Sequence, residues 1–125
     1  MPFVKIHISS SIKLSTREKI VKEVREALVK TIDIKFNHGH VVVYDSPVSS
    51  RCVHESRNNN FVMVEIIMFP GRSADIKENL FHSVTKIIKN HTGLKEEDIL
   101  ITIIESERYN WAKGGIALSK VDLGY

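Results

Sequence analysis

Apolar and polar residues alternate along Val4-Lys5-Ile6-His7-Ile8, the period of a half-buried strand. The period then changes. Ile20, Val21, Val24, Ala27, Leu28 and Thr31 recur at helical spacing and make one apolar stripe. Just upstream, Ser15-Thr16-Arg17-Glu18 has the Ser-x-x-Glu spacing of a capping box, in which each side chain satisfies the other's orphan backbone N–H. The β-branched run Val41-Val42-Val43 predicts a second strand over 40–45.

The same order then returns. Residues 62–68 read as a strand, Pro70-Gly71 as a turn, and Ser73 as the cap of a second helix. That helix carries Ile76, Leu80, Val84, Ile87, Ile88 and His91 on one face and stops at Gly93. A closing strand is predicted over 99–105. Val4 and Val64 lie 60 residues apart, and Val43 and Thr102 lie 59 apart. The chain thus reads as an α/β (α+β) protein of duplicated β-α-β units, a four-stranded sheet with two helices on one face. Repeat one covers about 2–45, a polar surface loop 46–60, repeat two about 61–105 and a tail 106–125, all in a single domain of 1–125. The tail's Tyr109-Asn110-Trp111-Ala112-Lys113-Gly114-Gly115 is rich in turn formers and suits a short hairpin.

Right-handed crossovers place both helices on one side of the sheet and leave the other side bare. Yet Ile99-Leu100-Ile101-Thr102-Ile103-Ile104 is apolar on both faces. A strand apolar on both sides wants cover on both sides, and no third helix is available. Self-association through the bare face is the expectation.

Composition narrows the function classes. The 125 residues are one domain's worth, 42% hydrophobic and 26% charged, an ordinary globular balance. Eighteen Lys/Arg against fifteen Asp/Glu leave a net charge of +3, and the two signs are interleaved. Neither nucleic acid nor a membrane is expected as a partner, since the apolar runs fall far below the roughly 20 residues of a bilayer span. The start lacks the plan of a secretory signal, and the one cysteine, Cys52, excludes an internal disulfide. A cytoplasmic location is expected.

Three places offer chemistry. If Met1 is trimmed, Pro2 becomes a terminal secondary amine whose neutral form is a base or nucleophile; otherwise Pro2 only opens a strand. Burial or a nearby cation favours the neutral form by lowering the ammonium pKa. Gly71-Arg72-Ser73 sits where a strand meets a helix N-terminus. There the free N–H groups and the guanidinium fork suit a carboxylate. Asn110-Trp111 followed by Gly114-Gly115 supplies an aromatic wall for the apolar part of a small substrate, or a core or interface residue.

Taken together, Pro2, Gly71-Arg72-Ser73 and Asn110-Trp111-x-x-Gly114-Gly115 resemble the tautomerase superfamily, which includes 4-oxalocrotonate tautomerase, malonate semialdehyde decarboxylase and macrophage migration inhibitory factor. The resemblance covers nearly the whole chain. It implies a tautomerase-like domain, a homotrimer with inward-facing sheets and no cofactor or metal. It implies Pro2 as catalytic base, Arg72 as carboxylate holder and enolate stabiliser, and Trp111 as the apolar wall. Tyr109, beside that motif, is a further candidate for binding substrate.

The sequence also departs from the family. In the first repeat the glycine–arginine turn is replaced by Ser11-Ile12-Lys13-Leu14. Phe69 stands where the decarboxylases carry a second arginine, and Asn37-His38-Gly39-His40 lacks their acidic residue before the second strand. These departures favour plain keto–enol tautomerisation of a small 2-oxo or enol acid. The rivals are a decarboxylase or hydratase of a three-carbon acid, and a non-catalytic trimeric binding protein. His38, His40 and His54 lack the companions of a metal site and read as surface residues. His7 faces away from Ile6 and Ile8, toward an interface or site rim, and Cys52 reads as incidental. Arg51 and Arg57 read as solvated loop residues able to approach an anion.

Overall fold

A computed structural model describes residues 2–124. Two strand–helix–strand units follow one another: β1 Phe3–Ser9, α1 Leu14–Ile32 and β2 His40–Ser46, then β3 Val62–Met68, α2 Ala74–Thr92 and β4 Ile99–Glu105. The strands form one sheet in the order β2-β1-β3-β4. Each unit is internally parallel, and the units join antiparallel where Phe3 pairs with Ile67 and His7 with Met63. The sheet therefore has a pseudo-twofold relation between its halves.

Alternation sorts the strands into two faces. Val4, Ile6 and Ile8 of β1 and Val62, Val64, Ile66 and Met68 of β3 point to the helices and are buried. The helices meet them with Ile20, Val24, Leu28 and Ile32 from α1 and Leu80, Val84 and Ile88 from α2. His91 of α2 pairs with Glu23 of α1 across the helix pair.

The two helices begin differently. Ser73 caps α2, its Oγ accepting from the Ile76 N–H at 3.3 Å. The capping box expected at Ser15 does not form. Lys13 occupies the N-cap of α1 without a side-chain cap bond, which places Ser15 inside the helix. Arg17 instead reaches back, donating from Nε to the Ile12 carbonyl and from Nη2 to the Ser10 carbonyl, both at 2.8 Å. At the C-termini, Gly93 takes the left-handed conformation expected of it, and Asp33 does the same for α1 at φ 52°.

The opposite sheet face carries Val42, Tyr44, Met63, Leu100 and Ile104, all exposed, with Leu100 at 59%. No helix covers it among the described residues. Its centre is polar: His7 Nε2 lies 2.6 Å from Glu65 Oε2, and the His7 ring stacks on Tyr44. That hydrogen bond holds the Glu65 carboxyl below its ordinary range, against the smaller opposing effect of burial.

The tail forms the expected hairpin, β5 Ala112–Lys113 and β6 Ile116–Ala117. Gly114 and Gly115 at the turn both have positive φ, 59° and 80°, as a two-residue turn matching strand twist requires. Beyond it, Leu118 and Leu123 bury against Phe69, forming a second small core with Trp111 and Val121.

Candidate active site

The antiparallel join sets the start of β1 beside the end of β3, and parallel pairing brings the start of β2 and the end of β4 to the same edge. One end of the sheet thus collects Pro2 and Phe3, residues 38–40, residues 69–72 and residues 106–111.

Pro2 is buried there, and its carbonyl accepts from the His40 N–H at 3.2 Å. Gly39 forms the adjacent wall at φ 86°; a Cβ on it would come within 3.2 Å of Ile34 Cδ1 and 3.8 Å of Pro2 Cγ. Arg25 of α1 pins this wall, its Nε donating to the Gly39 carbonyl at 3.1 Å and Nη2 to those of His38 and Phe36. Burial, and then the cations of Lys35 and Lys113, hold the His38 imidazole below its ordinary range. The trimming of Met1, on which the amine depends, lies outside the described residues.

Trp111 stands on edge between two phenylalanines, with ring centroids 5.5 Å from Phe3 and 5.4 Å from Phe69. Its Nε1 donates to the Ser106 carbonyl at 3.1 Å, which fixes the ring's orientation. Phe69 then connects this apolar wall to charge. Arg72 Nη1 donates to the Phe69 carbonyl at 3.4 Å, and the Arg108 guanidinium lies 4.8 Å from the Phe69 ring centroid. Phe69, Pro70, Gly71, Arg72, Ile76 and Arg108 line a cavity of about 270 Å³.

The structure thus gathers Pro2, Arg72 and Trp111 at one sheet end. Tyr109 is 70% exposed in the turn Arg108–Asn110, outside the Phe3–Trp111–Phe69 stack. Arg108 was not foreseen. Its sequence signal is only its place next to Tyr109, and a guanidinium over an aromatic ring is a tertiary fact. Arg25 and Gly39 were equally silent. His54 lies in the loop at the far end of the sheet, bonded to Ser56 Oγ at 2.8 Å, well apart from His38 and His40.

Comparison with known proteins fits this geometry. A family model described as tautomerase enzyme matches residues 40–114, a stretch that includes Arg72, Arg108 and Trp111. The chain belongs to this tautomerase family. A probable tautomerase of Bacillus subtilis, YusQ, is 19% identical over 119 residues, covering 91% of this chain and 94% of its own. The 2-hydroxymuconate tautomerase of the same organism is 36% identical over 59 residues, 47% of this chain and 95% of its own length. That relative is the size of one β-α-β unit. Among solved structures, a fused 4-OT symmetric trimer superposes with a TM-score of 0.85 at 13% identity, over 94% of this chain and 96% of its own. The FG41 malonate semialdehyde decarboxylase gives 0.79 at 20% identity, over 90% and 88%.

Proposed function

We propose that the chain is a cofactor-independent keto–enol tautomerase of a small 2-oxo or enol acid, working in the cytoplasm as a homotrimer closed over the open sheet face. The observation that carries this reading is the meeting of a buried Pro2 with the Phe3–Trp111–Phe69 wall and the Arg72 and Arg108 guanidiniums at one sheet end.

With Met1 removed, the neutral Pro2 nitrogen takes the enol hydroxyl proton, and the resulting ammonium returns a proton to the substrate carbon. As the O–H bond breaks the C–O bond becomes C=O, and the C=C π pair forms the new C–H bond. No group leaves and no electrons are lost, so a base and an anchor suffice. Arg72 holds the carboxylate and, with Arg108, stabilises the negative charge that builds on the enolate oxygen. The apolar wall and the neighbouring cations both disfavour the ammonium, which keeps the amine available.

A second reading is favoured by one observation. The arginine that the decarboxylases carry is absent at Phe69, but Arg108, in the turn after β4, brings a guanidinium to the Phe69 ring. On this second reading Arg108 serves as the second cation for decarboxylation or hydration of a three-carbon acid.

The test is ultraviolet absorbance during ketonisation of 2-hydroxymuconate and phenylenolpyruvate, using protein mass-checked for loss of Met1. A rate above buffer that collapses in Pro2→Ala supports the tautomerase. A rate equal to buffer, with carbon dioxide released from malonate semialdehyde, transfers the assignment to the second reading.

A further inference from the structure

The pseudo-twofold relation gives the sheet a second end equivalent to the first. Corresponding elements are offset by 59 or 60 residues: β1 to β3, α1 to α2, β2 to β4, and the turn Val48–Ser50 to the turn Arg108–Asn110. At this offset Arg51, which follows the first turn, takes the place of Trp111, which follows the second. Phe61 takes the place of Pro2, at the residue before a central strand.

This second end holds a cavity of about 600 Å³, larger than the one beside Arg72 and within the range of small-molecule sites. Its floor is apolar, from Val53, Phe61, Met63 and Leu100. Its rim carries Arg51, His54 and Arg57, with His7 at one side and Glu97 as the one acid. The rim is held in place. Arg51 Nη1 and Nη2 donate to the Asn59 and Phe61 carbonyls, and Arg57 Nη1 donates to the Glu97 carbonyl. The Asn58 N–H donates to the buried Asp98 carboxylate at 2.9 Å. The two bonds of Arg51 use two of a guanidinium's five N–H groups, so the cation remains able to donate. Burial pushes its pKa down from a very high starting value, and a partly desolvated cation gains most from an anion.

The nitrogen matching that of Pro2 is here the amide of Phe61, which donates to the Asn58 carbonyl at 2.9 Å. An amide nitrogen is not a base. We infer that the cavity under residues 47–61 is a second, non-catalytic binding site for a small organic carboxylate with a flat apolar body. The acid lies between Arg51 and Arg57, and the body rests on Val53 and Phe61, clear of the open sheet face that the proposed trimer covers. This site stands apart from the proposed activity and does not depend on it.

Cys52 lines the cavity and is exposed, so its alkylation by iodoacetamide reports occupancy. Cinnamate is the probe, cinnamamide its uncharged counterpart, and the protein is used as it assembles. Cinnamate is expected to slow alkylation saturably while cinnamamide does not. Arg57→Gln is expected to weaken the protection about tenfold, as loss of a charge-assisted hydrogen bond does. Pro2→Ala is expected to leave the protection unchanged. Because Arg51 holds the loop, Arg57→Gln is the main variant, and an unchanged circular dichroism spectrum verifies its fold. Equal protection by the amide, no saturable protection, or loss of protection in Pro2→Ala each overturns the inference.

Discussion

At one end of the sheet Gly71-Arg72-Ser73 leads into the helix, and at the other Ser11-Ile12-Lys13 does. Both starts follow a central strand by the same path. The first is open: Ser73 caps the helix through its own side chain, leaving Arg72 to lie along Phe69 beside a cavity. The second is closed, because Arg17 folds back onto the carbonyls of Ser10 and Ile12. The turns after the outer strands also differ, an indole at one end and a guanidinium at the other. Duplication supplied two equivalent places, and the side chains divided them. On the proposed reading the Pro2 end serves proton transfer, while the end with the Phe61 amide serves binding alone.

The largest effect that sharpens this contrast is at Pro2. Pro2→Ala should lower kcat for ketonisation about a hundredfold or more, the usual worth of a positioned base. Trimer mass should stay the same. Full activity in the variant would move the chemistry elsewhere. Next comes Arg72→Gln, expected to lower kcat/KM about tenfold to a hundredfold, with a smaller loss for Arg108→Gln. Equal losses would mean that the two guanidiniums share one carboxylate.

Much of this was legible beforehand. The strands 62–68 and 99–105 fall where period and composition put them, because long apolar runs leave little choice. The helix stripes survive as well, with Ile32 extending the first one inward. What the sequence hid was made by side chains reaching across distance. Ser15 and Glu18 have the spacing of a cap, yet Arg17 satisfies the chain one turn earlier and the helix starts at Leu14. Arg51 and Arg57, read as solvated, hold carbonyls eight to forty residues away. Arg108 reaches Phe69 through a fold-dependent stack. Local pattern encodes periodicity, and such long-range contacts have none.

The open sheet face gives the next prediction. Leu100→Asp puts a charge where an apolar neighbour is expected, removing about 2 kcal/mol of burial per copy and adding a desolvation cost. Light scattering should show the mass falling from three chains to one. An unchanged mass would locate the assembly on another surface. On the same face, Glu65→Gln tests the pair with His7. A carboxyl with a lowered folded pKa contributes stability that is present above its unfolded pKa of about 4.3 and is lost as pH falls through the folded value. The variant should be less stable than the parent at neutral pH and should converge with it in acid, as read by urea midpoints at several pH values.

The smallest effect tests the two helix starts directly. Ser73→Ala removes the α2 cap and should destabilise the protein by about 1 kcal/mol. Lys13 already has the extended backbone of an N-cap, φ −58° and ψ 146°, but no side chain that accepts a hydrogen bond. Lys13→Ser supplies that oxygen without moving the chain, and it also removes a cation from the positive end of the helix dipole. It should stabilise by up to about 1 kcal/mol. Shifts of opposite sign in the urea midpoint, at unchanged slope, would show that the two starts differ by this one bond. A loss in both would mean that Arg17 needs the lysine backbone held as it is, and that the closed start has been built around its clamp.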